Sequence, residues 1–415
     1  MSEKIPLDNY ETFTRHLGDR EYFGQRLGLE RIRSLLERLG NPQEKFRSIH
    51  IAGTNGKGST AAMIGSILKE AGYVTGLFTS PHLEDFCERI QVNGDPITPS
   101  EVMAAARVIR DAEDEPLTFF ELATALGFLH FAQRGVEIAV LETGLGGRLD
   151  ATNVVTPMVS VITSIGRDHM EVLGESIEEI AFEKAGIIKP ATPVVVGSMP
   201  AEAMEVIREQ ATVKGSRFVP IFMNLIPPNM RVGLEGDHQR RNAALAMSVI
   251  DVLSALGTIR VAREVVWRGL DQVRWPGRLE TVATESEGPW ILLDGAHNPE
   301  AMSEVRRFLE EKLQGRCLKV IFGAMADKDA RRMFAEILPL TSELILTSPN
   351  MKRAADPETL SKDAGEFLGE IRCYSRVDEA LRGEMDNLSD DDVLLITGSF
   401  FVVGEARAWF RQSSM

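Results

Sequence analysis

Leu27, Ile32, Leu35, Leu36 and Leu39 recur at near-helical spacing, and Gly40-Asn41-Pro42 ends the run. The next apolar stretch has another period. Ser48-Ile49-His50-Ile51-Ala52 is short and closed by glycine, the pattern of a buried strand. A glycine-rich turn and a helix from about Ser59 to Ala71 follow. Further strands fit Tyr73–Phe78, Glu137–Leu141, Val159–Thr163 and Pro193–Val196, with helices at about 100–111, 119–134, 176–188 and 200–213. Strands alternating with helices predict an α/β fold built on a mainly parallel, doubly wound sheet. Pro227–Gly236 reads as loop, and His238–Leu256 as a long helix.

Trp275-Pro276-Gly277-Arg278 interrupts the pattern, and the alternation then restarts. Strands fit Ile291–Leu293, Leu318–Phe322, Glu343–Leu346 and Val393–Ile396. Helices fit about 299–313, 329–337, 357–369, 377–387 and 401–411. The expectation is a second, smaller α/β domain, dividing the chain into 1–276 and 277–415.

The length of 415 residues allows two or three domains. With 44% hydrophobic and 26% charged residues, the chain can bury full cores without staples. Cys87, Cys317 and Cys373 are odd in number and far apart, which fits neither a disulfide framework nor a zinc site and points to a reducing cytoplasmic setting. The N-terminal stretch lacks a signal peptide's apolar core, and no apolar run is long enough to span a bilayer. A net charge of −15 argues against sequence-independent nucleic-acid binding. It leaves room for a local phosphate site.

Gly53-Thr54-Asn55-Gly56-Lys57-Gly58-Ser59-Thr60 supplies one. Glycines let backbone N–H groups curl around phosphate oxygens, the following helix directs its positive end at the same anion, and Lys57 adds a full charge. The spacing is not that of a strict Walker motif, and a plain strand–helix turn with a surface lysine is the alternative. Ser80, Glu142 and the pair Asp168-His169 follow other predicted strands, where open α/β sheets bind ligands. Each alone is more often a cap or a hydrogen-bonding residue than a ligand, and it is their shared placement that points to a ligand site. In the second domain Asp294 can accept from a ribose hydroxyl and His297 can meet a phosphate; an Asx turn with a passive histidine is the alternative. Arg278 stands in the linker.

The ordered set Leu39-Gly40-Asn41-Pro42, His50 through Ser59, Thr79-Ser80-Pro81-His82-Leu83, Glu142 through Asn153, Asp168-His169, Glu183 through Lys189 and Asp294 through Pro299 resembles folylpolyglutamate synthase/dihydrofolate synthase, of the Mur ligase superfamily. The resemblance runs from about residue 22 to 405. It implies an N-terminal P-loop ATPase domain, a C-terminal Rossmann-like ligase domain, and ATP with two Mg²⁺ ions. By position it implies Lys57, Lys184 and His297 as catalytic. Gly53 through Thr60, Asn242, Arg278, Asp294 and His297 become nucleotide contacts, and Ser80, Glu142, His169 and Lys184 metal ligands. Lys184 matches a lysine carbamylated by CO₂, which helix position alone gives no reason to choose. Thr118, Phe120 and Asp150 lie in segments resembling the pterin pocket, though Phe120 also fits an ordinary core aromatic. Asp327-Lys328-Asp329, Arg353 and Gly398-Ser399 fit patterns near glutamate recognition or domain closure.

The implied reaction joins L-glutamate to dihydropteroate or to a folate's glutamate tail through an acyl phosphate, by a monomer without nucleic-acid or membrane partners. Three rivals stand beside it. A peptidoglycan Mur enzyme would carry a sizeable domain before the phosphate loop, and here the loop begins by Gly53. A nucleotide switch or plain ATPase has no need of Lys184, His169 and Asp294 together. A catalytically dead folate-binding protein would have lost metal residues, and none is lost. The departures are compact segments, Gly215–Gly233 and Asp111–Leu117.

Overall fold

The computed structural model describes residues 5, 7–22, 28–221, 227, 230–283 and 288–413. Leu27, residues 222–226 of the Gly215–Gly233 segment, and residues 228 and 229 of that segment and the expected 227–236 loop lie outside them. The chain forms two compact units. One comprises Met1–His82, Phe86–Gly233 and Gln239–Val273; the other comprises Leu83–Asp85, Leu234–His238 and Arg274–Met415.

The first unit holds eight strands: β1 (Arg47–Ala52), β2 (Thr75–Phe78), β3 (Ile90–Val92), β4 (Asp95–Pro96), β5 (Ile138–Glu142), β6 (Val159–Ile162), β7 (Val194–Val196) and β8 (Phe218–Pro220). Their order is β4-β3-β2-β5-β1-β6-β7-β8. Pairing is parallel from β2 through β8. Apart from the half-buried edge strand β8, the strands of this run are buried along nearly their whole length because helices cover both faces, so they read as continuous apolar stretches rather than alternations. The edge pair β3 and β4 is antiparallel and absent from the sequence expectations. Its turn, Asn93-Gly94, has φ of 53° and 84°, the left-handed pair that a two-residue hairpin demands. The helix expected over 176–188 spans Ile177–Ala185, started by a capping box between Ser176 and Glu179.

The second unit adds β9 (Glu280–Ala283), β10 (Trp290–Leu293), β11 (Cys317–Phe322), β12 (Thr341–Leu346), β13 (Glu370–Cys373) and β14 (Asp392–Thr397). The order is β13-β12-β11-β14-β10-β9, parallel except at β9. Val393 and Leu395 face one apolar cluster while Leu394 and Ile396 face another, so this sheet too is covered twice. The helix expected over 357–369 stops at Asp363; Gly365, with φ 62°, turns the chain and β13 follows. Among the described residues no helix is long and apolar enough to cross a membrane.

Beneath this second sheet Lys319 lies 3.2 Å from both Glu343 and Asp392. Burial raises the two carboxyls, but hydrogen bonds outweigh it, from Arg372 and Lys319 at Glu343 and from Ser389 and Lys319 at Asp392; both end lowered. Burial lowers Lys319, and its two acidic partners overcome this and raise it. The acids therefore stabilise fully above their ordinary 3.8 and 4.5, and the contribution disappears as pH falls through their lowered values. The lysine's share is full below 10.5 and lost as pH rises through its raised value. Lys319→Met is expected to lower unfolding free energy at pH 7 by about 1–3 kcal/mol, read by urea denaturation, because the buried Asp392 and the half-buried Glu343 lose a donor.

Candidate active site

The parallel neighbours β2, β5, β1 and β6 bring their carboxyl ends to one edge of the sheet. From β1 comes the glycine–lysine loop. Gly53 and Gly56 have φ of 153° and 83°. A Cβ at Gly53 would stand 1.9 Å from Thr163 Oγ1, and one at Gly56 2.5 Å from Asn242 Oδ1, so glycine alone fits either place. The segment after β6 holds the loop's shape. Thr54 N donates to Ser164 O (2.8 Å), Asn55 N to Ser164 Oγ (3.0 Å), and Thr163 Oγ1 to Asn55 O (2.7 Å). The helix Lys57–Glu70 starts at Gly56 without a side-chain cap, which leaves first-turn amides for an anion. Thr60 Oγ1 is buried and has no hydrogen-bond partner among the described residues.

Lys57 Nζ donates to Thr54 O (3.1 Å) and lies 4.0 Å from Glu142 Oε1, at the end of β5. The other oxygen of Glu142 accepts from Ser80 N (3.2 Å), beyond the end of β2. Lys184 reaches the same place from the helix Ile177–Ala185, where its Nζ donates to Gly53 O (2.9 Å). It is buried. Burial lowers Lys184 to about 7, Lys57 pushes the same way, and Asp168 and Asp150 oppose. A buried amine beside another cation is an uncomfortable ammonium. His169 is exposed, sits at φ 53° before the short helix Met170–Leu173, and its ring lies 3.9 Å from Asp168. Among the described residues no group of three or more His, Cys, Asp or Glu gathers to hold a metal.

Phe120 and Asp150 converge on the turn after β5. A Cβ on Gly144 would lie 2.6 Å from the Phe120 ring, which also packs 5.8 Å from that of Phe78. Asp150 accepts from Gly144 N, Leu145 N, Thr152 N and Thr152 Oγ1. Burial pushes its carboxyl up against those four bonds. Thr118 caps the helix Phe119–Gln133 in a capping box with Glu121. His50 was not singled out by sequence. Its Nε2 meets Thr152 Oγ1 at 2.8 Å, and burial holds it neutral with its value lowered to about 3.

In the second unit Asp294 accepts from Leu279 N and Ala296 N, and burial raises its carboxyl against Arg278's charge and those two bonds. His297 Nδ1 lies 2.9 Å from Gly295 O. A carbonyl only accepts, so Nδ1 carries the proton, and Nε2 donates only as imidazolium. The Arg278 guanidinium lies 4.4 Å over Phe400, and the His297 ring 5.2 Å from it. Phe400 follows Gly398-Ser399; its position after a strand end was the available signal. Asp327 lies near Lys328 (3.8 Å) and Arg353 (4.0 Å), and Asp329 caps the helix Ala330–Ile337.

Comparison with known proteins gives matches over most of this frame. Residues 51–224 match the Mur ligase middle domain, and 277–400 the Mur ligase glutamate ligase domain. The chain is 38% identical over 415 residues to dihydrofolate synthase/folylpolyglutamate synthase of Bacillus subtilis, spanning 93% of this chain and 95% of that one. The structure of Escherichia coli FolC in complex with DHPP and ADP superposes with a TM-score of 0.89 at 27% identity, covering 100% of both chains. The bifunctional folylpolyglutamate synthase/dihydrofolate synthase from Yersinia pestis, complexed with AMPPNP and a Mn ion, gives 0.86 at 28% identity, covering 99% of this chain and 100% of that one.

Proposed function

The chain belongs to the folylpolyglutamate synthase/dihydrofolate synthase family of Mur ligases, and from that premise we infer how its own residues perform the reaction. It is an ATP-dependent ligase that joins L-glutamate to dihydropteroate, to the glutamate tail of a folate, or to both. Supporting the residue-level reading is one observation above all: Lys57, Ser80, Glu142 and the buried Lys184 meet around the Gly53–Gly56 loop.

A carboxylate is a poor acyl donor because its leaving group would be an oxide. In the proposed route an acceptor carboxylate oxygen attacks the γ-phosphorus, the bond to the bridging oxygen breaks, and ADP leaves. The glutamate amine then attacks the acyl carbon and loses a proton, and phosphate departs with the carboxylate's oxygen. Phosphoryl transfer asks mainly for position and charge neutralisation. The backbone amides of Gly53–Thr60 wrap the phosphates, Lys57 neutralises them, and Asn242, against Gly56, borders the nucleotide. In the second unit we assign Arg278 and His297 to the nucleotide's phosphates and Asp294 to its ribose. Thr118, Phe120 and Asp150 border the acceptor's pterin end. We divide these roles between an ATP-binding region, 1–276, and a ligase region, 277–415.

The oxygen donors suit two hard divalent cations such as Mg²⁺: the carboxylate of Glu142, the hydroxyl of Ser80 and, once carbamylated, Lys184; the imidazole of His169 would add one nitrogen ligand. Such ions would supply charge neutralisation at the transferring phosphoryl group. The enzyme is proposed to act as a cytoplasmic monomer.

The acyl-phosphate route is tested by labelling the acceptor carboxylate with ¹⁸O. One labelled oxygen is expected in the released phosphate for each turnover. Phosphate free of label would exclude the route.

A further inference from the structure

The turn carrying Arg278 is strained and braced from several sides. Gly277 and Leu279 have φ of 70° and 45°. A non-glycine residue stays in the left-handed region only where its surroundings hold it there. Gly277 N donates to Glu280 Oε2 (2.7 Å), Gly277 O accepts from Gly295 N (2.9 Å), and Leu279 N donates to Asp294 Oδ2 (2.9 Å). Glu280 is itself held, because Arg407 Nε donates to its other oxygen (3.0 Å). The remaining face of Arg407 binds Glu84, which also accepts from Arg411 (3.2 Å). The side chains of Glu84, Arg407 and Glu280 are 15%, 19% and 24% exposed, so solvent and salt screen these pairs weakly. Gly404 lets this happen: a Cβ there would lie 2.0 Å from Leu83 O and push the Glu84 segment away.

We propose that Glu280 and Arg407 are positioning residues for Arg278, fixing the 277–280 turn so that its guanidinium stays on the Phe400 ring. Their role is to hold the turn rather than to bind the nucleotide. They act by removing alternative conformations of a turn that would otherwise relax out of the left-handed region and carry Arg278 with it. The inference rests on the assignment of Arg278 to the nucleotide.

The test compares kcat/KM for ATP in wild type, R278A, R407M, R407K, E280A and the doubles R278A/R407M and R278A/E280A, using the better of dihydropteroate and tetrahydrofolate. R407M and E280A are each expected to lower kcat/KM for ATP about tenfold, with the KM for glutamate within about twofold of wild type. R407K recovers part of the loss. Once Arg278 is gone, neither second substitution should matter, as for residues acting through one group. Fully additive doubles beside an impaired R278A, or wild-type ATP kinetics in both single variants, overturn the positioning role while the Arg278 assignment stands. Unchanged ATP kinetics in R278A overturn that assignment and the proposal with it. If R407M does not fold, E280A carries the test, since it leaves the Arg407–Glu84 pair intact.

Discussion

Lys57→Ala is expected to lower kcat for glutamate ligation about a thousandfold, the scale of removing a charge clamp from a transferring phosphoryl group. The geometry makes the loss specific. Lys57 Nζ has one short bond within its own loop, to Thr54 O, and a 4.0 Å approach to Glu142. The loop's shape rests instead on Thr163, Ser164 and the two left-handed glycines. The substitution therefore removes a charge and leaves the cradle. Stability should change by less than about 1 kcal/mol, and nucleotide should still bind. Lys57→Arg should restore little, because a planar guanidinium on a longer stem does not replace a compact ammonium in a tight loop. Steady-state phosphate release and thermal denaturation check both parts. Activity within tenfold of wild type would remove Lys57 from the catalytic set.

The second large effect is expected at Lys184. Its amine is buried, pointed at Gly53 O and lowered to about 7, first by burial and then by Lys57. The neutral amine is the form that attacks CO₂, and its fraction grows as pH rises through about 7. Carbamylation would replace an unfavourable ammonium with an anion beside Lys57. Lys184→Ala is expected to lower kcat about a hundredfold, as for loss of a group that orients a metal centre. Short carboxylates such as acetate should partly restore the variant. Wild-type enzyme stripped of CO₂ should lose activity and regain it with bicarbonate, more readily at pH 8 than at pH 6. Indifference to both bicarbonate and acetate, with Lys184→Ala still inactive, would mean that the unmodified amine does the work.

The sequence was most legible where one short segment holds both fold and chemistry. The strand, turn and helix around Gly53–Thr60 announce themselves through an apolar run, three glycines and a lysine. The doubly wound sheets were legible because both faces are buried, which writes long apolar runs into the chain. The short edge strands were not. β9 and β13 are four residues each, and β13 is nowhere fully buried, so their composition resembles loop. Some neighbours of the site left no local trace either. Arg407 meets Glu280 across 127 positions, and Ser164 meets Asn55 across 109. Lys184 looked like any helical lysine until packing buried it. Thr118, which the resemblance places at the pterin pocket, also caps a helix through its side chain.

The reaction is ATP-dependent joining of glutamate to a folate-type acceptor. Its most direct test measures ADP, phosphate and glutamylated product from purified protein with Mg²⁺-ATP and L-glutamate, with dihydropteroate or tetrahydrofolate as acceptor. Equimolar ADP, phosphate and product are expected with at least one of them. Turnover with dihydropteroate establishes the first glutamate addition, and turnover with tetrahydrofolate alone restricts the enzyme to tail extension. Phosphate release that neither acceptor raises above ATP alone, with no glutamylated product, would rule out this activity.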